Sequence, residues 1–116
     1  MVRNKFKIPE DVLTAIRERD IECAYCRKDM IFPYSKTNVA DSATIEHLNR
    51  NGPFYWGDGL LAEDLVITCS ACNSSRGQKL IHDWFESQYC RERGICVETV
   101  AEPVRSYLER QTLATL

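Results

Sequence analysis

No apolar run in this chain approaches the ~18 residues needed to cross a membrane, so a membrane-spanning helix is not expected. The N-terminal "MVRNKFKIPED" has basic residues but no apolar stretch after them, and a secretory signal is not expected. Repeats, low-complexity tracts and long linkers are missing too. A cytoplasmic chain forming one domain over residues 1–116 is the expectation. Basic charge is also short: the net charge is −2, with a balance of +2 over residues 1–28 and −4 over the rest. A strongly basic surface is thereby excluded. Binding to nucleic acid would have to be local, weak, or assisted by a partner protein that supplies specificity.

Cysteine, by contrast, is plentiful, with six in 116 residues. In a reducing compartment this argues for metal rather than disulfides. Cys23 and Cys26 form one CxxC pair and Cys69 and Cys72 another. Tetrahedral zinc takes four thiolates at ~2.3 Å, and each CxxC turn offers two from one side. Two such turns close the shell, so a structural Zn2+ is expected, and structural zinc contributes on the order of 10 kcal/mol to folding. Cys90 and Cys96 lack this spacing and read as small buried or partly exposed thiols.

The remaining pattern is mixed. "PEDVLTAIRERD" reads as a helix, with Pro9 in its first turn and Val12, Leu13 and Ile16 on one face. "MIFPYSKTNVADSATIEHL" reads as two short strands joined by a loop. "NRNGPFYWGDG" is a loop, and "LAEDLVITCSACN" runs from a short ordered segment into the second cysteine pair. "KLIHDWFESQYCRER" reads as one helix stopped by Gly94, and "AEPVRSYLERQ" as a last helix with Pro103 in its first turn. Trp84, Phe85 and Tyr89 fall at helical spacing and read as core.

One short stretch stands out. "TIEHL" sets Glu46 beside His47 on a strand, and Asn73 directly follows the last paired cysteine. With both ends pinned by the cysteine pairs, "TIEHL" and "CNSSRGQKL" are held close together. The chain resembles the HNH endonucleases, whose ββα-metal motif is commonly framed by two CxxC turns. The matching residues are Glu46 and His47, Asp64 in "EDLVITC" and Asn73 in "CNSSRG", and the likeness covers roughly residues 20–86. It implies an α+β fold, a small zinc-stabilised ββα-metal (HNH/His-Me finger) domain with flanking helices.

The resemblance also implies roles. His47 would be the general base, Glu46 and Asn73 the ligands of a catalytic Mg2+ or Mn2+, and Asp64 the residue that fixes the histidine. Elementary chemistry agrees with the first two: a neutral imidazole can deprotonate water, and hard oxygens suit Mg2+ or Mn2+. Two positions depart from the family, which usually has Asp where Glu46 stands and Asn where Asp64 stands. Adjacent strand residues point to opposite faces, so a bend or bulge is expected at Glu46–His47. Arg50, Arg76 and Lys79 are expected near the site, gripping phosphate. His82 lies nine residues beyond Asn73, about half a helical turn out of phase, and reads as a surface or packed histidine.

The expected function is a DNA endonuclease that acts as a monomer or weak dimer and nicks one strand per event. The rival is a non-catalytic zinc module binding nucleic acid or protein.

Overall fold

The computed structural model describes residues 4–114. Helix α1 (Glu10–Arg19) forms where its sequence points. Pro9 stands just before the first turn, Glu10 and Asp11 meet the positive end of the helix dipole, and Arg17 and Arg19 meet the negative end. Leu13 and Ile16 form its buried face, with Val12 partly buried against the same cluster. At its end the buried Asp20 carboxylate accepts from Arg19 Nε at 2.7 Å and from the Ile67 amide at 2.9 Å. The bond from Ile67, together with Arg19 Nη2 donating to the Leu65 carbonyl at 3.0 Å, ties the helix to the sheet.

The sheet has two strands, β1 (Ala43–His47) and β2 (Leu65–Cys69). They run antiparallel in unbroken register from Ala43↔Cys69 to His47↔Leu65. The sequence suggested instead a pairing within residues 30–48. There the apolar run is interrupted by Pro33, which has no N–H to donate, and Ile31 makes only an isolated bridge to Ser42. The run Leu65–Cys69, with β-branched Val66, Ile67 and Thr68 at its centre and all five positions buried, is the partner β1 finds.

Four helices follow: α2 (Ser70–Arg76), α3 (Ile81–Phe85), α4 (Gln88–Arg93) and α5 (Glu102–Ala114). The single long helix expected across "KLIHDWFESQYCRER" is divided into α3 and α4. Ser87 starts the second, its Oγ accepting from the Cys90 amide at 3.3 Å. Gly94 ends α4 in the left-handed region at φ +66°, as expected.

A two-stranded sheet is marginal alone, and here both faces are covered. Alternation along the strands sends Ala43, Ile45, Leu65 and Ile67 to α1, with Ile8, Leu13 and Ile16. Val66 faces the opposite way, into a core with Tyr25, Leu48, Trp84, Val104 and Leu108. Trp84 is fully buried, with Phe85 and Tyr89 packed against it, so these rings are core. His82 is exposed. Among the described residues no helix is long and apolar enough to cross a membrane.

Candidate metal cage and adjoining cleft

The first cysteine turn is clipped to β2 by the Ala24 amide on the Ile67 carbonyl at 3.1 Å. The second lies where β2 runs into α2, with Cys69 as the helix N-cap. The four sulfurs of Cys23, Cys26, Cys69 and Cys72 consequently lie within 4.8 Å of one another, Cys26 and Cys69 at 4.0 Å. Corners of a tetrahedron about 2.3 Å from its centre are about 3.8 Å apart, so the cluster can hold a metal ion such as zinc. The second ring of donors suits thiolates. The Cys69 amide donates to Cys23 Sγ at 3.3 Å and the Cys72 amide to Cys69 Sγ at 3.5 Å, while the Tyr89 hydroxyl lies 3.3 Å from Cys72 Sγ.

The thiols share protons unequally. Hydrogen bonding to Cys23 first, then to Cys69 and Cys72, pulls the Cys26 thiol down, and Cys69 is lowered to about 7, chiefly by Cys23. Cys23 is pushed up, chiefly by Cys26, and Cys72 chiefly by Cys23. A divalent cation would displace the protons retained there. Cys90 and Cys96 lie outside the cluster.

Beside the cage a cleft of about 1010 Å³ runs along the edge of β1 away from β2, the edge that Ile31 touches only at its start. Every β1 residue from Ala43 to His47 lines it, together with Arg50, Asn73 and Arg76. The bulge expected at Glu46–His47 is not there, because the ladder passes through both residues unbroken. An edge strand makes it unnecessary. Glu46 reaches the cleft from the α2 side and His47 from the α1 side, each along its ordinary direction.

His47 Nε2 lies 3.0 Å from the Phe54 carbonyl. A carbonyl only accepts, so Nε2 carries the proton and Nδ1 keeps the lone pair. The rings of Phe6 and Phe54 stand edge-on to the imidazole, with centroids at 4.3 and 5.4 Å. Burial lowers the His47 pKa below its ordinary 6.5, against the opposing effect of the Phe54 carbonyl. The imidazole is therefore neutral at pH 7.

Glu46 is 5 % exposed, and its Oε2 accepts from the Tyr25 hydroxyl at 2.7 Å and Arg76 Nη1 at 3.2 Å. Burial raises its pKa, with Arg76 and Tyr25 pulling the other way. Neither bond uses Oε1. Asn73 shares the α2 side of β1: its amide nitrogen donates to Thr44 Oγ1 at 3.0 Å and to the Ile45 carbonyl at 3.2 Å, leaving Oδ1 uncommitted among the described residues.

Three expected site residues are placed differently. Arg76 is 2 % exposed and donates to Glu46 and to the carbonyls of His47, Leu48 and Lys79, which leaves it no free face for phosphate. It is a strut between α2 and the end of β1. Lys79 bonds the Ser75 carbonyl and does not line the cleft. The Asp64 carboxylate pairs with Arg110 of α5 at 3.3 Å, so the Phe54 carbonyl holds His47 instead. Arg50 does line the cleft, joined by the exposed Lys5 and Lys36, which sequence reasoning passed over because both are distant in the chain. Tyr25 was also missed. It sits inside the first CxxC turn, and its hydroxyl links that turn to Glu46.

A small mixed helix-and-strand chain with a four-cysteine cage against an edge-strand cleft is the class that fold and site define. No family model matches the chain, and neither the curated proteins nor the solved structures contain a significant match to it.

Proposed function

We propose that the chain is a divalent-metal-dependent endonuclease of the HNH type, hydrolysing DNA phosphodiester bonds one strand per event. The observation that carries this reading is the convergence of His47, Glu46, Asn73 and Arg50 on one cleft beside the cysteine cage. His47 takes a proton from water at Nδ1, an effect worth ~10²–10⁴-fold. Glu46 Oε1 and Asn73 Oδ1 are two hard oxygens on one side of β1, a donor set that suits Mg2+ or Mn2+ completed by water. Such an ion, when bound, supplies neutralisation of charge on the scissile phosphate. Arg76 and Tyr25 hold the Glu46 carboxylate still, and Arg50, Lys5 and Lys36 attract the phosphate backbone. Zinc, when held by Cys23, Cys26, Cys69 and Cys72, would be a structural ion that fixes the scaffold.

Supercoiled plasmid incubated with Mg2+ or Mn2+ tests this. Nicked circles are the expected product, and His47→Ala should lose at least about a hundredfold in rate while keeping fold and zinc. Activity must rise as His47 loses its proton. Because burial lowers its pKa, the half-maximal point should lie below 6.5, with activity levelling off above it. Wild-type cleavage by His47→Ala would end the assignment.

A non-catalytic zinc module binding nucleic acid or protein is the second reading. It is favoured by one contact, the Arg76 guanidinium fixed 3.2 Å from Glu46 Oε2, because a fixed cation opposes a second cation nearby. Absence of any metal-dependent nicking by folded, zinc-loaded protein would select it.

A further inference from the structure

The cleft carries a second signature besides its chemistry. Among its lining residues Glu46 is the one carboxylate, and Arg76 already neutralises it. Lys5, Lys36 and Arg50 add exposed positive charge, in a chain whose net charge is −2. Large rings share the same walls: Tyr34 is 43 % and Phe54 38 % exposed, and Phe6 lies between Lys5 and His47, with the Lys5 ammonium 5.3 Å from its centroid. Tyr55, 45 % exposed, continues the aromatic rim beside Phe6.

Cations and open ring faces around one histidine ask for a ligand carrying both phosphate and flat apolar surface. Paired DNA offers only half of that. In a duplex each base has its faces covered by its neighbours, so Tyr34 and Phe54 would gain nothing from it. An unpaired strand offers both, because its bases can turn out and stack on the rings while its phosphates meet Lys5, Lys36 and Arg50. His47 stands against the ring of Phe54, so a phosphate reaching it has a place for a base beside it.

We infer that the cleft takes single-stranded DNA, with bases stacked on Tyr34 and Phe54 and the backbone held by Lys36, Arg50 and Lys5. The identity of the ligand as DNA rests on the nuclease reading above; the preference for an unpaired strand rests on the rings and charges. On plasmid, the first nick would then fall where negative supercoiling opens the duplex.

The experiment separates the two. Zinc-loaded His47→Ala protein, which cannot consume the probe, is titrated into a fluorescein-labelled oligonucleotide without Mg2+ or Mn2+, and anisotropy gives the affinity. The single strand should bind at least about tenfold more tightly than the same strand annealed to its complement. Adding Tyr34→Ala should weaken single-strand binding about tenfold and leave the duplex unchanged. Adding Lys36→Ala should weaken both and flatten the salt dependence. Equal affinity for strand and duplex, a Tyr34→Ala loss that is the same for both, or tighter binding to an RNA strand of the same sequence would overturn the inference. Chain with His47 intact is then given each DNA with Mn2+. Selective binding without cleavage would keep this inference and end the nuclease reading, whereas equal binding and cutting of both forms would do the reverse.

Discussion

The two faces of the β1–β2 sheet are held by different kinds of force. On the α1 side the packing is aliphatic, with Ile8, Leu13, Ile16, Ala43, Ile45, Leu65 and Ile67 together, and the polar ties from Asp20 and Arg19 lie at the helix end. On the α2 side the apolar core around Val66 and Trp84 is joined by directional contacts: the four sulfurs, and the buried chain Tyr25–Glu46–Arg76 that ends on the carbonyls of His47 and Leu48. Apolar packing degrades by degrees, because neighbours relax into a lost methyl's space. A cage or a buried ion pair fails at once, because removing one member strands the others. The two proposed reacting groups divide along the same line. His47 is set by two rings and a carbonyl; Glu46 is set by a polar chain running back to the cysteine turn.

The largest test of this contrast is the cage. Cys72→Ser should leave the chain unfolded or aggregated, since structural zinc contributes on the order of 10 kcal/mol and small domains are stable by only about 5–15 kcal/mol. On the opposite face, Ile45→Ala should cost about 2–5 kcal/mol and leave a folded, zinc-loaded protein with a lower melting temperature. Circular dichroism with metal analysis reads both, with about one zinc per folded wild-type chain expected. A folded, reduced chain without metal would remove the distinction between the faces.

The buried ion pair comes next. Arg76→Met strands the Glu46 carboxylate in a buried site, and breaking such a pair costs about 3–5 kcal/mol. Pairing the substitution with Glu46→Gln removes the stranded charge, so the double variant should recover part of the loss in denaturant titration. Additive losses would show that Arg76 matters through its carbonyl contacts alone.

How much of this was legible beforehand follows from the same contrast. The cage was readable, because CxxC spacing is local and the sulfurs need no further partner to define a site. Helix α1 was readable from Pro9, Glu10, Leu13 and Ile16, and the end of α4 from Gly94. The strand partner of β1 was not, since "MIF" and "LVITC" are both apolar runs and only Pro33 tips the choice. The break at Ser87 was also hidden inside a continuous helical pattern. In the cleft, His47, Glu46 and Asn73 were named together from the HNH resemblance, and all three line it. Their neighbours were misjudged where the role depended on burial. Arg76 looks like a surface cation in "NSSRG", and nothing local says that four carbonyl and carboxylate oxygens await it. The expected bulge followed from strand alternation alone, which does not foresee a cleft at the strand edge reached from both faces.

The smallest expected effect is the sharpest check on that misjudgement, and it concerns Asp64. By resemblance this position fixes the histidine, and then Asp64→Asn would restore the family's usual residue and change the rate. The structure gives the carboxylate another partner, Arg110, at 3.3 Å, with the two side chains 22 % and 36 % exposed. Exposed pairs of this kind are screened by solvent and contribute less than about 1 kcal/mol. Asp64→Asn should therefore lower stability slightly at low salt, with the difference fading as salt rises past physiological strength. The nicking rate and its pH profile should not move, because the Phe54 carbonyl, not Asp64, sets the tautomer of His47. A faster variant, or one whose profile shifts toward lower pH through loss of a nearby negative charge, would show that Asp64 acts on the histidine after all.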